Sequence, residues 1–154
     1  MAARIEILAV GPLHRDFEPA ARHYLDLLRP YAAVTVREVK ETPLRGRSEA
    51  EVLREEGRRL LAAWPQAPLV AALAVEGRAL DTEGFAAWLQ GGVERGGAAF
   101  VVGGSLGLAP EDLVRAGARV SLSALTLPHQ LARVVLLEQL FRAARILRGE
   151  PYHH

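Results

Sequence analysis

Apolar and polar residues alternate from Arg4 to Val10 and stop at Gly11-Pro12, which predicts a first strand. Phe17, Ala21, Tyr24, Leu25 and Leu28 recur at helical spacing, and Pro30 closes the segment, so a helix is expected over Phe17–Leu28. Ala33–Val39 alternates again and is rich in β-branched residues, as a second strand requires. Lys40–Arg47 is polar and contains Pro43 and Gly46, the composition of a loop. Ser48 with Glu51 three residues on reads as a capping box, opening a helix that runs to Trp64. Leu69–Val75 is an unbroken apolar run, the pattern of a strand buried on both faces. Asp81 reads as the N-cap of a helix through Leu89, with Gly91-Gly92 as its stop. Ala98–Val102 is another buried strand, Pro110–Ala116 a short helix, Arg119–Leu122 a last short strand and Pro128–Arg148 a final helix. Strand and helix alternate throughout, so the expected fold class is α/β, with a mostly parallel sheet and helices on both faces. The 154 residues, without internal repeat or linker, are expected to form one domain over positions 1–154.

The final helix adds a further expectation. Glu138, Arg142 and Arg145 share one narrow stripe, whereas Leu131, Val134, Leu136, Leu137, Leu140, Phe141, Ala144 and Leu147 fill most of the rest. A helix apolar around that much of its girth is covered on two sides. One side is its own sheet; the other is a second subunit or more of its own core. A C2 homodimer is the simpler arrangement. On that reading Leu136→Arg or Leu140→Arg splits the dimer or prevents folding, because each would bury an unpaired charge.

Composition narrows the classes. Hydrophobic residues make up 50% of the chain, enough for a core, but no apolar stretch approaches the roughly 20 residues that a bilayer crossing needs. The opening Met-Ala-Ala-Arg-Ile-Glu-Ile lacks a signal-peptide core, and a cytoplasmic protein with no membrane partner is expected. Absence of cysteine removes disulfides, thiol nucleophiles and cysteine-ligated zinc. A formal net charge of +1 gives no global basic field, although Lys40 is the one lysine among 19 basic side chains. That bias reflects either genome or temperature, or a use of arginine's bidentate grip on phosphate.

Two late loops carry the candidate chemistry. Val101-Val-Gly-Gly-Ser-Leu-Gly107 is a strand ending in a glycine turn, and Ser121–Pro128 is a charge-free loop of Ser, Leu, Ala and Thr. Bare backbone and small apolar walls suit a flat uncharged ring held through main-chain bonds. Leu73 is placed either as the opposite wall or as an ordinary core leucine. No dinucleotide glycine fingerprint follows the first strand and no Walker lysine is present, which disfavours NAD and ATP. No Ser-His-Asp order and no His-Glu-x-x-His motif supports hydrolysis, and no histidine–carboxylate set has metal-ligand spacing, so no metal is expected. His129 opens the last helix as either a substrate contact or a plain helix-terminal residue. Pro151-Tyr152 stiffens the tail and offers a ring for stacking on an unpaired base.

Gly103-Gly-Ser-Leu-Gly-Leu108, Ser121-Leu-Ser-Ala-Leu-Thr-Leu-Pro-His-Gln130, Arg133-Val-Val-Leu-Leu-Glu-Gln-Leu-Phe-Arg142 and Arg148-Gly-Glu-Pro-Tyr-His153 together resemble the ribosomal large subunit pseudouridine methyltransferase H family, a minimal branch of the SPOUT class. The resemblance spans the whole chain and implies S-adenosyl-L-methionine as methyl donor, a homodimer, and a C-terminal trefoil knot that forms the cofactor pocket. Carried over, that pocket comprises Leu73, Gly103, Gly104, Leu122, Ser123, Ala124, Leu125, Thr126 and Leu127, and Gly104→Val is expected to block it by bulk. The implied substrate is a pseudouridine of helix 69 in 23S rRNA, methylated at N3 within the 70S ribosome. His129, Arg142, Tyr152 and His153 are then the candidates to hold or deprotonate the base, with the proton acceptor left open among them. The final His154 departs from the charged residue often found there in the family. A catalytically silent cofactor-binding, ribosome-associated protein is the alternative from another functional class. A flavodoxin-like module fits the late loops poorly.

Overall fold

A computed structural model describes residues 3–152. Five strands, β1 (Ala3–Val10), β2 (Ala32–Val39), β3 (Leu69–Ala79), β4 (Ala98–Val102) and β5 (Ala118–Ser121), alternate with α1 (Glu18–Leu28), α2 (Glu49–Ala62), α3 (Thr82–Glu94), α4 (Pro110–Ala116) and α5 (His129–Leu147). The sheet is parallel throughout, in the order β2-β1-β4-β3-β5. Neighbouring side chains of β1 and β4 point to opposite faces. Ile7, Ala9, Phe100 and Val102 join a core with Leu136 and Leu140 of α5, while Leu8, Val10 and Val101 pack with Leu60 of α2. On the first face α5 meets both α1 and α3; on the second, α2 meets α4. The α/β reading with helices on both faces therefore holds.

Three details depart from expectation. The helix after Asp81 does not stop at Gly91-Gly92 but runs on to Glu94. A Cβ at Gly92 would lie 2.9 Å from Leu69 and 3.1 Å from Ala98, so this glycine lets α3 approach β3 and β4 closely, and Gly96-Gly97 end the turn instead. Strand β3 extends to Ala79 and is not buried along its length. Leu73 and Arg78 both lie opposite Val120, so residues 74–77 leave the ladder as a bulge. A Cβ at Gly77, where the strand rejoins, would meet the Val120 backbone at 2.8 Å. Finally, Leu136 and Leu140 are fully buried within their own protomer. An arginine at either position is thus a folding lesion and cannot probe a dimer. The outward stripe of α5 carries Leu131, Glu138 and Arg142, with Leu131 36% exposed.

The start of α5 is pinned across the sheet. Arg133, buried, donates to the Gly11 carbonyl at 2.9 Å and to Glu38 at 2.6 Å. The Gln130 amide donates to the Pro12 carbonyl at 3.0 Å and accepts from the His14 backbone N–H at 2.7 Å. These contacts hold α5 over the C-terminal end of β1, well across the sheet from the edge strand that precedes it.

Candidate cofactor pocket and C-terminal latch

Parallel strands deliver all their following loops to one edge, and a cavity of about 620 Å³ opens there. Its walls are the bulge after Leu73, the turn Gly103–Leu108, and the segment Ser121–His129, with Ala132 of α5 closing one side. The turn is tight because glycine permits it. A Cβ at Gly103 would stand 2.4 Å from the Gly107 backbone, while the Gly107 N–H donates to the Gly104 carbonyl at 3.0 Å. The 121–128 loop is braced by its own serines. Ser121 Oγ donates to the Ser123 carbonyl, and Ser123 Oγ accepts from the Leu125 N–H, each at 2.9 Å. Apolar Val75 and Leu125 stand at the rim, 53% and 74% exposed. Among the lining residues only Glu76 and His129 are titratable, so the interior is almost free of charge.

The structure brings together most of the residues assigned from the sequence. Leu73, Gly103, Gly104, Leu122, Ser123, Leu125, Thr126, Leu127 and His129 all line the cavity; Ala124 is exposed and does not. Gly104 borders the space, but a side chain there would point toward Val10 at 3.2 Å and Glu56 at 3.6 Å, away from the opening. Gly104→Val therefore strains the core beneath the pocket and does not plug it. Glu76 escaped sequence reasoning because the strand was expected to end at Val75; only the bulge carries it to the cavity.

Arg142 and Tyr152 stand elsewhere. Thirteen residues separate His129 from Arg142 on α5, a rise of roughly 20 Å. Arg142 is paired with Glu138 and donates to the Tyr152 carbonyl at 2.6 Å. The Tyr152 hydroxyl donates to Glu83 at 2.5 Å, and Thr82 bonds Gln139 at 2.8 Å, so a polar latch ties the tail to α3 and α5. That carboxylate contact is the chief cause holding the Tyr152 phenol above its ordinary pKa of 10.0. His153 lies outside the described residues.

Glu56 on α2 is a second buried group the sequence did not single out. Burial is the main cause of a carboxyl pKa above its ordinary value, opposed by the Thr42 N–H that donates to it at 2.9 Å. Because the folded form holds its proton more tightly than the unfolded chain, this group's contribution to stability falls as pH rises from about 4 through the folded pKa. Glu56→Gln keeps an acceptor for Thr42 and cannot ionise. The stability of wild type relative to Glu56→Gln should therefore drop as pH rises above the ordinary carboxyl range, read as diverging urea midpoints. Midpoints that stay parallel as pH rises would show that burial does not raise the Glu56 pKa.

A pocket built by two late loops of a parallel sheet, with no glycine fingerprint after β1, sets the fold apart from ordinary nucleotide-binding folds. Residues 3–153 match the family described as predicted SPOUT methyltransferase, and the chain belongs to it. Within it, the chain is 47% identical over 157 residues to a protein of Rubrobacter xylanophilus named ribosomal RNA large subunit methyltransferase H, covering 99% of each. A protein of the same name from Gemmatimonas aurantiaca is 44% identical over 153 residues, covering 97% of this chain and 99% of the relative. The SpoU methyltransferase AviRb of Streptomyces viridochromogenes, solved in complex with the cofactor AdoMet, superposes with a TM-score of 0.51 at 16% identity, over 98% of this chain and 60% of that one. The last likeness is one of fold. Among the described residues no group of histidines and carboxylates is arranged to hold a metal, and no helix is long and apolar enough to cross a membrane.

Proposed function

We propose that this chain is an S-adenosylmethionine-dependent methyltransferase of large-subunit ribosomal RNA, a single SPOUT domain acting as a cytoplasmic homodimer. Its substrate on this reading is N3 of a pseudouridine in helix 69 of 23S rRNA within the 70S ribosome. The observation that carries the proposal is the charge-poor cavity built from the Gly103 turn and the Ser121–His129 loop. It occurs in a chain nearly half identical to a ribosomal RNA large subunit methyltransferase H.

The residues present fit an adenosyl group. Leu73, Leu122 and Leu127 offer apolar walls, the glycine turn brings backbone within reach of a ligand, and the serine-braced loop fixes main-chain donors and acceptors in place. The trefoil knot belongs to the same reading. Its support is the path of residues 122–128, which leave β5 at one edge of the sheet and deliver α5 above β1, passing the ends of β3 and β4.

S-adenosylmethionine, when bound, supplies an already activated methyl group. What remains for the protein is alignment of the acceptor nitrogen and removal of its proton. His129 lines the pocket wall, which supports assigning it a contact with the base. Arg142, Tyr152 and His153 are assigned to the same task, and the roughly 20 Å between Arg142 and His129 along α5 supports their arriving from the partner subunit. An arginine so placed stabilises negative charge on the imide as its proton leaves, and the Tyr152 ring stacks on the target base.

Transfer of tritium from methyl-labelled S-adenosylmethionine to 70S ribosomes lacking the modification tests the proposal, with digestion of the rRNA to locate the mark. Label in helix 69 is the expected result. Cofactor binding without transfer would instead identify a catalytically silent ribosome-associated protein.

A further inference from the structure

The loop between β2 and α2 combines features that the reaction does not use. It opens on the same edge of the sheet as the pocket, because every strand is parallel. One strand, β1, lies between β2 and β4, so at about 4.8 Å per strand the root of this loop stands roughly 10 Å from the root of the Gly103 turn. A polar surface loop of this kind is ordinarily mobile. This one is anchored. The buried Glu56 carboxylate takes the Thr42 N–H, and Arg59 donates to the Lys40 carbonyl at 3.0 Å and to Thr42 Oγ1 at 2.5 Å. Arg47 then closes the turn, through its backbone N–H to the Leu44 carbonyl and its guanidinium to the Pro43 carbonyl. Ser48 caps the helix that follows.

The anchored loop holds exposed cations beside the pocket. Lys40 and Arg45 are exposed, as is Arg15 on the neighbouring β1 loop, and their charges have no ion-pair partner among the described residues. Nearby acids are partly engaged. Asp16 stands 3.2 Å from His14, and the Glu41 side chain lies against Gly11. Leu44, at the tip, is 47% exposed. With a net charge of only +1, the chain has no overall field to draw in a polyanion, so any grip on one must be local.

We propose that the Lys40–Arg47 loop, with Arg15, is the surface that grips the RNA backbone flanking the target base. The inference rests on the rRNA methyltransferase reading and adds the place where the substrate is held. A strand whose base enters the pocket must lay adjoining phosphates along this edge, where guanidinium forks match phosphate oxygens in pairs. The buried Glu56 acts here through Thr42, as a positioning residue for the loop.

Two measurements test it on the full-length protein. Binding to 70S ribosomes is followed against salt for wild type and for Lys40→Ala/Arg45→Ala. Removing each cation from its phosphate should weaken binding several-fold and lower the slope of log affinity against log salt by about 1, giving about 2 for the pair. S-adenosylmethionine affinity should stay unchanged, and Lys40→Arg/Arg45→Lys should restore most of the binding. Since the chain has no cysteine, Leu44→Cys can also carry a single hydroxyl-radical tether. Cleavage of 23S rRNA around the target helix is expected. Unchanged affinity and slope would overturn the inference, and so would tether cleavage confined to ribosomal protein. If wild type binds through this loop yet transfers no methyl group, the catalytic reading fails while the docking surface stands.

Discussion

Ala132→Phe should abolish S-adenosylmethionine binding, by about 100-fold or more, while the protein remains folded. Ala132 lines the cavity from the first turn of α5, on a helix whose other face is already fixed by Arg133, Leu136 and Leu137. A phenylalanine adds a ring on the pocket side without touching those buried contacts, and its helix propensity costs only about 0.5 kcal/mol relative to alanine. Calorimetric titration gives the affinity and thermal melting the control. Undiminished binding in the folded variant would move the cofactor elsewhere. Gly103→Ala makes a useful contrast. There the added carbon would stand 2.4 Å from the Gly107 backbone, so the turn itself must open and both stability and affinity should fall. A helix-borne plug separates occupancy from architecture, which a glycine substitution cannot.

Element type was legible in the chain because each strand and helix carries its own periodicity, and Ser48 and Asp81 cap α2 and α3 as their spacing implies. What periodicity cannot report is the meaning of a glycine. Gly91-Gly92 looks like a helix stop in one dimension and proves to be a close helix–sheet contact, because the neighbours that decide it, Leu69 and Ala98, lie on two different strands. The same limit hid the β3 bulge. An apolar run ending at Val75 gives no sign that Arg78 returns to face the same Val120 as Leu73. The pocket loops were readable from composition, since a charge-free Ser–Leu–Ala–Thr stretch after a strand is unusual. Which way each residue points was not, and Gly104 shows the cost: it does border the cavity, but its side-chain direction is the reverse of the one expected. Glu56 and Arg133 stayed hidden because a charged residue on an amphipathic helix is ordinarily solvated, and only tertiary contacts reveal a buried one.

Mixing two inactive variants should restore about a quarter of wild-type methyl transfer, if the partner's tail completes each pocket. One chain carries Ala132→Phe, with a blocked pocket and an intact tail. The other lacks residues 152–154, leaving an intact pocket and no tail. Truncation removes Tyr152 from its bonds with Arg142 and Glu83, none of which lies in the cavity wall, so cofactor binding should survive in that chain. Random reassociation makes about half of the dimers mixed. In a mixed dimer the intact pocket faces the intact tail only if the tail works across the interface, giving one competent site of two. Should the tail serve its own pocket, no site in a mixed dimer has both parts and the mixture stays inactive. The geometry favours the first result. Arg142 stands roughly 20 Å from His129 along α5, with its charge held by Glu138 on the outward stripe of the helix. A second subunit lying on that stripe would bring its own pocket toward this latch, and exchange of the Tyr152–Glu83 contact for the substrate base would then free the tail to act.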